Sequence, residues 1–370
     1  MVTKYTLYKK TSTGAIQEWT IVQEGDQYYT VEGQYGGKMT TSKPTICKPK
    51  NVGKSSETTG TEQAISETNS KIKLKLDKGY VHDINDVEAS AEIFTPMLAK
   101  EYGKFKHKVK YPCIVQPKFD GVRSNVDEEN GQLSREGRPQ VSAPHLLEAI
   151  KPILTSNVVI DGEIYNHDLR DNFDQIISLA RKSKPTPEDL AESAKVLQYH
   201  IYDMFLKDEP EMLFLDRFTL LENKIKSLNN PMLVICPTII CANEDELDAA
   251  YDVFLSKGYE GMMVRNNTPY AQKRTENLLK RKEFQDAEFE VLDIIEGQGN
   301  RSGMAGTILL KLNESGATFN SSATGGEAYY KELLTNKDKY IGKMATVKFQ
   351  NYTPGGVPRF PTIKAIRDYE

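Results

Sequence analysis

Between residues 94 and 283 the chain alternates short apolar runs with longer amphipathic stretches. The runs are YPCIVQ, NVVIDGEIY, YHIYDMF, PMLVICPTII and EGMMVRN, rich in β-branched and aromatic residues that suit a pleated sheet. Between them, SAPHLLEAIKPIL, FLDRFTLLENKIKSL and EDELDAAYDVFLSKG carry apolar positions at helical spacing. Strands that alternate with helices bury a sheet under helical layers, so this stretch predicts a mixed α/β domain. RKSKPTPEDLAESAK (181–195) is expected to be a surface excursion.

The flanks have a different texture. KYTLYKK, QEWTIVQEG and QYYTVEGQYGG in the first 36 residues alternate as strands do, with Gly and Asp at the turns. A lysine-rich polar stretch follows, then TEQAISETNSKIKLKLDKGY, a helix with Thr61 as N-cap and Gly79 as its stop. VHDINDVEAS (81–90) reads as an acidic linker. After residue 283, AEFEVLDIIEGQG, AGTILLKLNES, KMATVKFQNYT and FPTIKAIRDYE are strands, and only GGEAYYKELLTNKDKY is helical. Strands with one helix in so short a span fit a small β-barrel such as an OB-fold. SGATFNSSATGGE is expected to be a mobile loop. The chain is thus a multidomain α+β protein with a small α+β domain over 1–90, a mixed α/β domain over 91–283 and a barrel over 284–370.

Composition excludes several classes. No run of about 18 apolar residues exists, so no membrane span is expected. The opening MVTKYTLYKK has no apolar core of a signal peptide. Cys47, Cys113, Cys236 and Cys241 are scattered, which argues against a zinc site or a disulfide framework and suits a reducing compartment. The net charge of −4 hides a lysine-rich region between Lys38 and Lys78. Such a local basic surface can meet phosphates whatever the total charge.

One stretch carries chemistry. In QPKFDGVRS (116–124) an apolar strand delivers Lys118 directly into an Asp120-Gly121 turn, with Arg123 following. A lysine held at a strand end can act as a covalent nucleophile. Alone, the pattern reads equally as a hairpin with a surface salt bridge. The residues downstream change that balance: SREGRP with Arg135, VVIDGEIY with Asp161 and Glu163, YHIYDMF with aromatics beside Asp203, GYEGMMVRN with Glu260, and NLLKRKEF with Lys280 and Lys282 on one strand face. Lysines and arginines for phosphates, with two glutamates for a hard cation, suit a nucleotide site with Mg²⁺.

In this order the elements resemble the covalent nucleotidyltransferase superfamily of ATP-dependent DNA ligases, RNA ligases and mRNA capping enzymes, over residues 94–370. LLKRKEFQDAEFEVLDI and the closing RFPTIKAIRDYE are most similar to compact viral and bacterial DNA ligases. The resemblance implies a nucleotidyltransferase (adenylation) domain followed by an OB-fold. It makes Lys118 the residue that attacks the α-phosphate of ATP and carries AMP, and places Arg123 on the nucleotide. Arg135 would hold the 5′-phosphate of a nick, and Glu163 and Glu260 would lie near the metal, Mg²⁺ with Mn²⁺ able to substitute, with Glu163 also on the nucleotide, near the ribose. Tyr202 would stack on adenine, with Tyr199 close by as a rival. Lys280 and Lys282 would grip the α-phosphate, Arg274 would sit near the phosphates, and Arg359, Lys364 and Arg367 would orient the pyrophosphate. The implied partners are ATP and nicked double-stranded DNA, met by a monomer in a nucleoid or an infected host's cytoplasm.

The first 90 residues resemble a WGR domain, with Tyr35-Gly36-Gly37 in place of the eponymous Trp-Gly-Arg. That likeness makes Lys38, Lys48, Lys50 and Lys54 candidate DNA contacts. Trp19 is expected in the core of this domain, Arg217 in a structural salt bridge, and His167 and Asp168 in an ordinary loop. An RNA ligase, a GTP-using capping enzyme and a silent DNA-binding module are the rival readings. The last is disfavoured by the intact set of Lys118, Glu163, Glu260, Lys280 and Lys282.

Overall fold

Residue pattern becomes backbone first at the N-terminus. In the computed structural model, which describes residues 2–11, 14–88, 94–170, 172–313, 315–353 and 355–367, strands β1 (Val2–Lys10), β2 (Ile16–Glu24), β3 (Gln27–Gln34) and β4 (Met39–Thr41) form an antiparallel sheet in sequence order. Strand β5 (Thr45–Ile46) pairs with the start of β3. Helix α1 (Gly60–Leu76) packs on the sheet through Ala64 and Ile72, which meet Leu7, Trp19, Ile21 and Tyr80 in one core. The cap is Thr59, two residues before the expected one. Thr59 accepts from the Glu62 amide while Glu62 reaches back to the Thr59 amide, a reciprocal box that Thr61 cannot build. Gly79 does end it, with φ +78°. The expected linker is docked rather than free: Val81 bridges Tyr8, and Val87 is buried. Its last two residues lie outside the described residues.

The next segment holds two five-stranded sheets. Its elements are β6 (Leu98–Glu101), α2 (Tyr102–Phe105), β7 (Cys113–Lys118), β8 (Val122–Asp127), β9 (Gly131–Ser134), α3 (Pro144–Ile150), β10 (Val158–Tyr165), α4 (Phe173–Ala180), α5 (Pro187–Val196), β11 (Gln198–Leu206), α6 (Phe214–Leu228), β12 (Leu233–Ile235), β13 (Ile239–Cys241), α7 (Glu244–Ser256), β14 (Gly261–Arg265) and β15 (Arg274–Lys282). One sheet has the order β12-β11-β10-β8-β9 and the other β13-β7-β14-β15-β6. The apolar run PMLVICPTII is therefore not one strand. Pro237 cannot donate to a ladder, and the chain crosses there from the first sheet to the second. The expected surface excursion does lie at the surface, with only Ser193 buried, and within it residues 187–196 are helix α5, started by Thr186 and Asp189 in a second capping box with Pro187 at the first helical position.

Strands β16 (Gln285–Glu296), β17 (Ala305–Lys311), β18 (Thr318–Ala323), β19 (Met344–Phe349) and β20 (Thr362–Ile366) close into a barrel, with α8 (Glu327–Thr335) packed on it through Leu333. Strand β18 falls within the expected mobile loop. Its composition is that of a loop, yet Phe319 and Ser321 alternate inward and the strand pairs with both β17 and β20. By contacts the chain divides into two compact units, one over 93–283 and one combining 1–92 with 284–370. The second contains two separate apolar cores, and the Lys43 amide donates to Asn300 Oδ1 at 2.9 Å between them. No helix among the described residues is long and apolar enough to cross a membrane.

Candidate active site

The two sheets of the 93–283 unit enclose a cavity of about 310 Å³. Lys118, Arg123, Arg135, Glu163, Tyr202, Arg274, Lys280 and Lys282 all line it. Strand parity brings them there: Arg274, Lys280 and Lys282 sit at even spacing on β15, and Arg281 between the last two turns away to Asp248 and Tyr251. Lys118 ends β7 opposite Gly261 of β14. A Cβ at Gly261 would clash with the Arg281 carbonyl, so only glycine lets β14 lie this close to β15. Gly121 has a similar role. A side chain there would lie 2.5 Å from the Ile164 carbonyl oxygen, so the glycine admits strand β10 rather than a ligand.

Glu260 does not line the cavity wall but anchors it from beneath. Its carboxylate is ion-paired to Lys118 Nζ, and its other oxygen takes Lys282 Nζ at 3.2 Å. Burial alone would raise the Glu260 pKa; Lys118 and Lys282 outweigh it and hold the group below its usual range. Burial lowers the Lys282 ammonium, with Glu260 opposing and Lys118 adding to the fall. Glu163 shows the reverse balance. Burial pushes its carboxyl up to about 8, against the pull of Lys118 and Arg123 and with the help of Asp161 and Glu260.

Arg123 is more constrained than its expected contact with nucleotide suggests. Its fork is spent on Asp161, Nε to Oδ1 at 2.9 Å and Nη2 to Oδ2 at 2.5 Å, and Nη1 donates to the Met97 carbonyl at 2.8 Å. What it offers the cavity is the face of its guanidinium, 5.7 Å from the Tyr202 ring centroid. Asp161 also accepts from Asn125 at 2.9 Å and from the Tyr270 hydroxyl at 2.6 Å. Nothing local in the sequence singles out Tyr270; the one available signal is Asp161 itself, two residues from Glu163 on one strand face. The two candidate tyrosines are placed differently. Tyr199 is buried, its hydroxyl on the carbonyls of Ser124 and Ile160 at 2.9 and 3.2 Å. Tyr202 is the extra residue of a β-bulge, since Asp161 faces Asp203 while Gly162 faces Ile201, and a bulge re-aims its side chain.

Two of the lining residues are held by neighbours, and the other expected residues lie elsewhere. Arg135 is exposed and held by Glu136 at 2.7 Å. Arg274 donates to the Ala99 carbonyl at 2.5 Å. Arg217 makes the expected salt bridge, with Asp203 at 2.6 Å, and Trp19 is in the N-terminal core. His167 and Asp168 share a single 3-10 turn, with His167 on the Tyr165 hydroxyl and the Lys257 carbonyl. Among the described residues no group of three His, Cys, Asp or Glu is arranged to hold a metal by itself. Arg367 lies on the barrel, bonded to Thr346 at 2.8 Å and Glu288 at 3.5 Å, with Lys364 paired to Asp286 and Arg359 near Asn351. Asp368, beside it, is outside the described residues. The N-terminal lysines do not form one patch. Lys38 follows the far end of β3, whereas Lys48, Lys50 and Lys54 follow Cys47, which is bonded to Asp26 at the near end. Roughly 23 Å of strand separates those ends. Lys50 is moreover paired with Glu67 at 3.3 Å.

Comparison with known proteins supports what the geometry suggests. The ATP dependent DNA ligase domain family matches residues 96–282, and the DNA ligase OB-like domain family matches residues 296–367. The chain belongs to the ATP-dependent DNA ligase family. A DNA ligase of African swine fever virus is 27% identical over 279 residues, covering 71% of this chain and 63% of the viral protein. A DNA ligase of Methanosphaera stadtmanae is 26% identical over 313 residues, 74% of this chain and 55% of that protein. This chain thus spans less than two thirds of the length of these curated relatives. A solved structure from a structure-function analysis of Lig E DNA ligases superposes with a TM-score of 0.62 at 24% identity, over 74% of this chain and 99% of that one. The fold is therefore an adenylation domain with an OB-like barrel, as the family resemblance implied.

Proposed function

We propose that this chain is an ATP-dependent DNA ligase that seals nicks bearing a 3′-hydroxyl and a 5′-phosphate. The observation that carries the reading is the lysine at the mouth of the cavity, Lys118, sharing Glu260 with Lys282 inside a wall of further cations. In the first step the Lys118 amine, once its proton has gone to solvent, attacks the α-phosphorus of ATP. A P–N bond forms, the P–O bond to the β-phosphate breaks, and pyrophosphate leaves. In the second step the 5′-phosphate oxygen of the nick attacks the same phosphorus, restoring the lysine and activating the DNA end. In the third the 3′-hydroxyl attacks that end and AMP departs. All three are phosphoryl transfers, so positioning and charge neutralisation dominate.

The chain's residues divide this work. Tyr202, with the Arg123 guanidinium behind it, offers a face for the adenine base. Lys280 and Lys282 offset charge on the α-phosphate, and Arg135, at the exposed rim, meets the 5′-phosphate. Glu163 and Glu260 would hold a divalent cation, Mg²⁺ with Mn²⁺ able to substitute, which supplies charge neutralisation to the phosphates; the raised Glu163 carboxyl fits that use. The direct test is to incubate the chain with α-labelled ATP and Mg²⁺, then add a nicked duplex. A labelled protein that passes its label to DNA and then closes the nick is the expected result. No labelled protein, or label taken only from GTP, would overturn the reading.

We further infer that the N-terminal module, whose sequence resembles a WGR domain, grips duplex DNA near the nick through Lys38 at one end and Lys48, Lys50 and Lys54 at the other. Deleting residues 1–90 is expected to raise the KM for nicked DNA several-fold and to flatten its salt dependence. Because this module shares a compact unit with the barrel, a variant with the four lysines changed to glutamine is the companion measurement. Unchanged values in both would remove the module from DNA binding.

A further inference from the structure

A second cleft, of about 560 Å³, opens beside the first and shares Arg123, Arg135 and Glu163 with it. Its volume falls within the range of ligand-binding clefts, about 300–1,000 Å³. Beyond the shared residues its walls bring Arg138, Arg181 and Lys182 together, so five cations and two carboxyls, Glu136 and Glu163, line it. One of those carboxyls is already committed, since Glu136 holds Arg135. The other is pushed towards its neutral form. Arg123 is matched by Asp161, Arg135 by Glu136 and Lys182 by Asp189, so the excess positive charge of the cleft is that of Arg138 and Arg181, with Arg138 also near enough to Glu136 to help lower its carboxyl. Arg138 sits on the turn after β9, Arg181 at the C-cap of α4, and neither guanidinium has a hydrogen-bond partner among the described residues. Lys182 is braced by Asp189 in the first turn of α5. The capping box that fixes Asp189 thus also sets the wall of the cleft.

We propose that this cleft binds the sugar-phosphate backbone of the 5′-phosphorylated strand, just inside the nick, with Arg138 and Arg181 contacting the first internucleotide phosphates. The inference rests on the ligase reading for its orientation: Arg135, on the border of the two cavities, holds the terminal phosphate, and the strand continues into the second cleft. Repeated anionic charge matches the wall better than a single small anion, because the two free guanidiniums come from separate elements, the β9 turn and the end of α4. Backbone contacts of this kind fix register without reading sequence.

The test is the salt dependence of binding to a nicked duplex, followed by fluorescence anisotropy, for the full chain and for Arg138→Ala, Arg181→Ala and the double variant. Each single change is expected to weaken binding several-fold at moderate salt. The slope of log affinity against log salt should fall by about 0.9 per arginine. Neutral methylphosphonates at the first two linkages of the 5′-phosphorylated strand should weaken the wild-type chain by a similar factor and remove the difference between it and the double variant. The same linkages placed in the 3′-hydroxyl strand should leave that difference intact. A double variant with the wild-type slope overturns the proposal, as does a deficit that persists on the 5′-strand methylphosphonate duplex. Labelling with ATP separates the two readings: a wild-type chain that takes no label refutes the ligase reading, while the binding comparison, which needs no chemistry, still decides the cleft. Label uptake by the variants also reports that they are folded.

Discussion

Lys118→Ala is expected to abolish the covalent AMP adduct entirely, and Lys118→Arg to abolish it equally. The pair separates two roles of one side chain. Lys118 supplies positive charge to Glu260, and it supplies the nucleophilic nitrogen. Alanine removes both; arginine keeps the charge but stays protonated, so it has no lone pair to give. If pairing with Glu260 were the whole of its task, the arginine variant would retain activity. Gross unfolding is not expected from either change, because the Lys118 side chain is 22% exposed and Glu260 keeps Lys282 at 3.2 Å. The measurement is intact mass or label incorporation after incubation with ATP and Mg²⁺, followed by peptide mapping. An adduct that persists and maps to Lys280 or Lys282 would sink the assignment, since both stand in the same cavity.

Asp203→Ala should give the largest loss of stability. Asp203 is fully buried and takes Arg217 Nε at 2.6 Å on one oxygen and Arg265 Nη1 at 2.6 Å on the other. Removing it strands two guanidiniums in the interior, where an unpaired charge costs about 3–5 kcal/mol. That is a large share of a domain's whole margin of about 5–15 kcal/mol. The probe has to be chosen with care. The chain's one tryptophan, Trp19, belongs to the N-terminal core, so its fluorescence reports on the wrong unit. Hydrogen exchange of peptides covering β11 and α6 reads the affected region directly, and protection there should collapse while peptides from β1 to β3 keep theirs. Equal protection in variant and wild type would show that the two arginines find other partners, and the account of this cluster would be wrong.

The strands and helices that the sequence made legible are those whose apolar residues keep one period: β7, β10, β11, α6 and α7 each follow the run that predicted them. The misses have physical causes. Strand β18 hides in glycine, serine and threonine because its inward side carries only Phe319 and Ser321; barrel closure, a long-range pairing, makes it a strand. Helix α5 was masked by lysines and prolines, although Thr186, Pro187 and Asp189 spelled its first turn. The run over β12 and β13 looked continuous because hydropathy does not register which sheet a residue joins. In the site, the residues that point into the cavity were readable from strand parity and from the company of other charged strand ends. The residues that hold them were not. Asp161 and Tyr270 are 109 positions apart, and Gln116 and Arg265 are 149 apart, so nothing local links them.

The path from β7 to β11 has a mechanical consequence. Gln116 on β7 donates to the Tyr202 carbonyl at 3.1 Å and to Thr238 at 3.1 Å, and it accepts from Arg265, which reaches Asp203. Tyr202 and Asp203 belong to the opposite sheet. The gap between the two cavity walls is thus gauged by bond lengths, as the jaws of a calliper are set by its screw, and not by the bulk of apolar side chains. Volume changes among the apolar clusters of this unit should therefore alter how firmly it holds together while leaving the aperture offered to a nucleotide the same width.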